Sequence, residues 1–459
     1  MSVLLEVHTT MSIKTGLQHY LGQCAKSVIR RERPFIVGIT GSVGKSSAKQ
    51  MIGAALQADI PENRVRVPVG SFNNELGLPL TIFGATYPRR SPLAWLMLLT
   101  KATAGRFGLW KTGIKTFVLE MGADKPGDIE YLASIAQPDV AVITAVTPED
   151  PDLAPVHSAF YPSIDALAEQ KSFLVKAVRE GGGVVLNADD KRVFAMRHLT
   201  HEHVTMFGEM EQAEVRIVET QIVMEDRGEI NVPTGIRTVI TVFGHRYEFY
   251  FDGVFGRPIA YAAAAAIGVV AEMDIAQDEV RNMPAHFFPM PGRTRIIPGI
   301  KHTTLLDDTY NSSPAAALSA LRDLGKMPLK AGQRRAACLG EMRELGDASA
   351  KLHRLVGAEA ARLGLDLLVC CGTFSSAMAE GALANGMKPE QVQVIEDTPE
   401  AGLFLQNWLK PGDIVLAKAS QGTIHTTGVR MERVIKELMA EPLRAKELLV
   451  RQDEAWQRA

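Results

Sequence analysis

The residues best suited to chemistry lie in Gly38-Ile-Thr-Gly-Ser-Val-Gly-Lys-Ser-Ser47. Glycines let backbone N–H groups crowd around an anion, and a helix entered at that point adds its own unpaired donors. An apolar run at 35–39 precedes the turn and a helical run from Lys45 to about Ala58 follows it. That strand–loop–helix context predicts a phosphate-binding P-loop. Thr40, Gly41, Ser42, Val43, Gly44, Lys45, Ser46 and Ser47 would then wrap the phosphates of ATP, with Lys45 on the outer phosphates and the Ser46 hydroxyl on Mg²⁺. The spacing departs from G-x-x-x-x-G-K-[ST], because Ile39 stands at the first glycine position and the glycine falls at Gly41. The loop predicts a nucleoside triphosphate and leaves the reaction open.

The elements that must hold this loop read as an α/β protein. β-rich runs at 116–121, 140–144 and 183–187, separated by helical stretches, predict βαβ units and a mostly parallel sheet. Alternation of polar and apolar residues within 214–252, broken at Gly244, predicts a small antiparallel hairpin attached to that sheet. An alanine-rich helix is expected over 259–273. Pro289-Met-Pro-Gly-Arg293 stops regular structure and marks a boundary. Beyond it, strand signals at 303–308, 336–340, 367–371, 392–396 and 414–418 alternate with helices, predicting a doubly wound, Rossmann-like C-terminal domain. The expected division is a helical segment at 1–33, a central P-loop ATPase domain at 34–292 and a C-terminal domain at 293–459. A helix over 13–31 ends in Arg30, Arg31 and Arg33, which either complement the helix dipole or meet a phosphate-bearing substrate. The charged tail after Pro442 predicts a surface helix.

Several segments, in order, resemble the Mur ligase family, in its branch that adds D-alanyl-D-alanine to a uridine-linked muramoyl-tripeptide. They are the shifted loop itself, Asn73-Asn-Glu-Leu-Gly-Leu-Pro-Leu80, Leu119-Glu-Met-Gly122 with Pro126-Gly-Asp128, Gly292-Arg293, Asp307-Asp-Thr-Tyr-Asn-Ser-Ser-Pro314, and Leu339-Gly-Glu-Met-Arg-Glu-Leu-Gly346 with His353. The resemblance implies an ATP-dependent amide ligase: a carboxylate becomes an acyl phosphate, and an amine then displaces phosphate. It implies that Glu120 holds Mg²⁺ beside Ser46, that His157 and a carbamylated Lys171 hold a second Mg²⁺, and that Arg293, Asp308 and Asn311 contact the nucleotide. Asn73, Asn74, Glu344, His353, Lys418 and Ser420 are weaker substrate-side candidates, with helix capping and turn structure as the competing reading. Three departures stand out. Thirty-seven residues precede Gly38 where the branch carries a uridine-binding domain, so that domain is expected to be lacking. Pro258, Ile259 and Ala262 replace the polar residues of G-x-H-N-x-x-N, and Ala145, Ala419 and Gln421 replace other usual residues. The alternatives are a Mur-like ligase of another carboxylate and a non-catalytic ATP-binding protein.

The remaining features are bland. The chain has 459 residues, 46% hydrophobic and 22% charged, enough for two to four domains. A net charge of -2 gives no reason to expect nucleic-acid or membrane binding. Cys24, Cys338, Cys370 and Cys371 form no C-x-x-C pair and read as structural thiols. Residues 1–14 lack a signal-peptide pattern, and no apolar run approaches the roughly 20 residues of a membrane span. A cytoplasmic protein with small-molecule or peptide-precursor substrates is expected, monomeric by default.

Overall fold

The computed structural model describes the chain apart from residues 1, 69, 71, 90, 147–160, 274, 276, 422–428, 454, 455 and 457–459. Nine strands form one sheet: β1 (Phe35–Thr40), β2 (Val65–Arg66), β3 (Thr116–Glu120), β4 (Val140–Ile143), β5 (Gly183–Asn187), β6 (His203–Gly208), β7 (Val215–Asp226), β8 (Asn231–Val242) and β9 (His245–Asp252). They lie in the order β2-β3-β1-β4-β5-β6-β7-β8-β9. From β2 to β7 neighbours run parallel, and β7, β8 and β9 are antiparallel. Every residue of β3, β4 and β5 is buried, as continuous apolar runs demand when helices cover both faces. β9 instead alternates exposed and buried, the period of a strand wet on one side.

One face is covered by helix Ser2–Glu32, whose Leu21, Cys24, Ala25, Val28 and Ile29 share a core with Phe83, Leu98, Ala102 and Phe117. On the other face Met51, Ile52 and Ala55 of helix Lys45–Gln57 share a core with Ala263 and Ile267 of helix Pro258–Glu272. The second sheet contains β10 (Arg295–Pro298), β11 (Thr304–Asp308), β12 (Arg335–Leu339), β13 (Leu367–Cys370), β14 (Val392–Val394) and β15 (Ile414–Lys418). Its order is β10-β11-β15-β12-β13-β14, all parallel except β10 against β11.

The sequence expectations need four corrections. The hairpin is a three-stranded ribbon, since β7 also pairs along β8; polar residues on its open face hid its length. β10 was missed, being four residues long, ended by a proline and held antiparallel at a sheet edge. The N-terminal helix is longer than the expected 13–31 and packs into the first core. The tail's helix, Ala445–Leu448, is short and docked by one face: Ala445, Leu448 and Leu449 are buried, and Arg451 reaches Glu432 at 2.9 Å with both side chains buried.

The bend between the sheets is tied at Gly292. Its N–H donates to Asp307 Oδ2 at 3.0 Å, its carbonyl accepts from Tyr310 N at 2.9 Å, and its φ of 69° favours glycine. A Cβ there would lie 2.9 Å from Tyr310 N. That bend places Arg293 against the first sheet's site.

Candidate active site

The carboxyl ends of β1, β3 and β4 converge on the glycine-rich turn. Gly41 is locked by its neighbours: a Cβ would fall 2.0 Å from Thr144 Oγ1. Ser42 N donates to Ala145 O, and Thr144 Oγ1 donates to Val43 O at 2.6 Å. Gly44, at φ 89°, opens helix Lys45–Gln57 with no side-chain cap, leaving first-turn N–H groups for an anion. Ser47 lies half-buried in that first turn. Ala145 therefore acts through its backbone, which any side chain supplies.

Lys45 Nζ donates to Gly41 O at 2.6 Å, and burial lowers its pKa. Ser46 Oγ donates to Glu120 Oε2 at 3.1 Å. Lys49, which sequence reasoning passed over, is fully buried 3.5 Å from the same oxygen. Its signal was present: it lies four residues after Lys45, on the same helix face. Asn73 Nδ2 donates to Glu120 Oε1 at 3.3 Å. Burial alone would raise the Glu120 pKa, but Lys45, Lys49 and Arg293 outweigh it and hold the carboxylate below its ordinary range. Lys171 is buried and donates to Gly41 O at 3.0 Å; burial, then the charge of Lys45, push its pKa far down. Asp124, also unforeseen, opposes both shifts.

Arg293 lies with its guanidinium 4.1 Å from the Tyr310 ring centroid and adds a third cation to the field at Glu120. Three buried polar atoms here lack partners: Thr40 Oγ1, Ser42 Oγ and Arg293 Nε. Such atoms are costly in isolation and mark where a ligand supplies the missing bonds. The edge thus combines excess positive charge, free donors and one carboxylate beside a hydroxyl. His157 lies outside the described residues. Among the described residues no group of three or more His, Cys, Asp or Glu could hold a metal ion.

The second-sheet candidates behave differently. Lys418 Nζ pairs with Asp308 and donates to Asn311 O at 3.0 Å. Asn311 Oδ1 accepts from Gln421 N, and Ser420 Oγ donates to Ser312 O at 2.7 Å. His353 is fully buried: Nδ1 faces Ser349 O at 2.7 Å, and Nε2 accepts from Met342 N at 2.9 Å. Both ring nitrogens are spent on backbone, so His353 shapes the loop after β12. Glu344 is exposed at a left-handed backbone position of that loop. Asn74 Oδ1, likewise, accepts from Leu76 N at 3.2 Å and Gly77 N at 2.9 Å at the entry to helix Gly77–Phe83. Pro258 opens its helix, and Ile259 and Ala262 are core residues, so no polar contact arises from those three positions. Nearby, Arg257 pairs with Glu209 and with Tyr261 Oη, which in turn donates to Asp189.

A family model for the Mur ligase middle domain matches residues 39–270, and one for the Mur ligase glutamate ligase domain matches 292–421. The chain belongs to the Mur ligase family. The UDP-N-acetylmuramoyl-tripeptide–D-alanyl-D-alanine ligase of Mycobacterium tuberculosis H37Rv is 32% identical over 403 residues, covering 84% of this chain and 70% of that protein. The Bacillus subtilis 168 protein of the same name is 25% identical over 423 residues, 92% of this chain and 80% of its own. MurF ligase from Thermotoga maritima, solved in complex with ADP, aligns with a TM-score of 0.71 at 23% identity, over 94% of this Mur ligase and 84% of that chain. At that identity the likeness establishes the fold.

Proposed function

We propose that this Mur ligase joins D-alanyl-D-alanine to UDP-N-acetylmuramoyl-tripeptide at the cost of ATP, releasing ADP and phosphate. The observation that carries the reading is the P-loop edge, where Lys45, Lys49 and Arg293 surround Glu120 and Ser46 beside unpartnered Thr40, Ser42 and Arg293 atoms. The names of the relatives at 32% and 25% identity support the substrate assignment.

Phosphoryl transfer asks chiefly for alignment and charge neutralisation. The N–H groups of 43–46 cradle the triphosphate, and Lys45 exchanges its bond to Gly41 O for a phosphate oxygen. Arg293 approaches from across the bend, so closure of the two parts completes the cationic shell. The precursor's carboxylate attacks the terminal phosphorus, ADP leaves, and the dipeptide amine attacks the acyl carbon; phosphate leaves and the amine loses a proton. Ser46 and Glu120 are hard oxygen donors of the kind Mg²⁺ takes, and the ion bound there would neutralise phosphate charge. Asp308 and Asn311 belong to the nucleotide side in this reading. The division at 34–292 and 293–459, and a cytoplasmic setting with all four cysteines buried and free, belong to the same proposal.

The Lys171 side chain fits carbamylation. Its depressed pKa favours the neutral amine, which adds to carbon dioxide and releases a proton to give an anionic carbamate. A carbamate could ligate a second Mg²⁺, with His157. A carbamate signal from isotope-labelled bicarbonate, lost in Lys171→Arg, is expected; a signal unchanged by that substitution contradicts it.

The reaction is tested by mixing protein, ATP, Mg²⁺ and the muramoyl-tripeptide nucleotide with and without D-alanyl-D-alanine. Dipeptide-dependent phosphate release with the pentapeptide mass is expected. ATP binding without either, alongside turnover of other carboxylate–amine pairs, would reassign the substrate.

A further inference from the structure

Helix Pro92–Arg106 is apolar on nearly every side, yet only Leu98, Ala102 and Gly105 are buried. A helix without a polar face is ordinarily enclosed. Here Leu93 is 65% exposed, Leu96 61% and Met97 59%, on one stripe at helical spacing. The turn that follows adds Phe107 at 71% and Leu109 at 83%. Between stripe and turn, Leu96, Met97, Thr100, Lys101, Ala104 and Trp110 line an open groove of about 480 Å³. Such a contiguous exposed apolar surface marks an interaction site.

Its charge narrows the occupant. From residue 76 to 119 the sequence has Arg89, Arg90, Lys101, Arg106, Lys111 and Lys115 and no Asp or Glu. Among the described residues two carboxylates reach the segment from elsewhere: Asp453 pairs with Arg89, and Glu32 accepts from Thr112 N and Oγ1. Lys101 sits over the Trp110 ring at 4.7 Å, and Arg106 and Lys111 are exposed beside Phe107 and Leu109. An isologous dimer through this patch would set like charges against each other. Exposed leucines, methionine and aromatics flanked by lysine and arginine are what an anionic lipid interface takes.

We propose that Pro92–Arg106 and the turn through Lys111 form a peripheral docking surface for anionic lipid bilayers. The helix lies in the plane of the headgroups: its fifteen residues reach only about 22 Å, and no described helix is long and apolar enough to cross a membrane. β3 starts after Lys115 and runs away from the patch to Glu120, so docking leaves the P-loop edge open. The surface stands independently of the reaction assigned to that edge.

Sedimentation with phosphatidylcholine vesicles, with and without phosphatidylglycerol, tests it on the full chain. Binding to the anionic vesicles, weakened by salt, is expected. Leu96→Gln with Met97→Gln should weaken it about tenfold, and Arg106→Gln with Lys111→Gln about tenfold as well, flattening the salt dependence. Unchanged thermal melts and ATP binding would show both variants folded. No vesicle binding by the wild type, or equal binding to neutral vesicles, overturns the proposal. So does a wild-type dimer, without vesicle binding, that the Leu96→Gln, Met97→Gln pair makes monomeric.

Discussion

Each sheet ends in a buried lysine–carboxylate pair, Lys49 with Glu120 in the first and Lys418 with Asp308 in the second, and the two pairs do different things. Glu120 collects three cations and still leaves Thr40 Oγ1, Ser42 Oγ and Arg293 Nε without partners. Around Asp308 most polar groups close on each other, Thr294 Oγ1 excepted: Lys418 also bonds Asn311 O, Ser420 bonds Ser312 O, and His353 bonds Met342 N. One end has an unbalanced field and open donors, which a polyanion completes. At the other, Lys418, Ser420 and His353 form a scaffold that holds Asp308 and the loop around Asn311 in place. Residue type alone does not separate the two; the accounting of partners does.

The sharpest way to break the comparison is Lys45→Met. It removes a cation aimed at the phosphates and should cut kcat/KM about a thousandfold, with a thermal melt near that of the wild type. A loss of under tenfold would remove the first edge's special status. Lys49→Met should act on stability, because it leaves Glu120 with one partner fewer in the interior; denaturant titration should read a loss of about 3 kcal/mol. If that variant melts normally, Lys45 and Arg293 suffice to hold the carboxylate.

On the scaffold side, His353→Leu removes two backbone hydrogen bonds and should cost about 2 kcal/mol, while kcat/KM of the folded protein stays within about threefold. A large kcat/KM loss in a stable variant would move His353 to the reaction. Its pH signature has a definite sign. Burial lowers the folded pKa below the ordinary 6.5, so the unfolded chain binds the proton more readily. The contribution is complete above 6.5 and is lost as pH falls through the lowered value, and unfolding midpoints should fall less steeply below 6.5 in His353→Leu. The smallest effect belongs to Asn74→Ala, about 1 kcal/mol for the lost hydrogen bonds to Leu76 N and Gly77 N, read as a shift in the denaturant midpoint.

Sequence gave a close account of the elements whose signal is local. The turn at 38–47 announced itself through glycine, lysine and serine, and β15 fell where its five apolar-rich residues placed it. β10 stayed hidden because its identity rests on a distant partner strand, and the tail because charged residues mask three buried apolar ones. Glu120 and Lys171 were legible as ionisable residues on expected elements, but their meeting at the P-loop was read from the resemblance. For Asn74 and His353 the sequence left a substrate role and a turn or capping role side by side, because their partners here are backbone groups, which leave no trace in side-chain identity. The comparison of sheet ends could only be drawn once those partners were known.

The central claim is that the first edge makes an acyl phosphate. Precursor labelled with heavy oxygen in its reacting carboxylate, turned over with ATP and dipeptide, should release phosphate carrying one labelled oxygen. Unlabelled phosphate accompanying authentic amide product would contradict acyl-phosphate chemistry at this site.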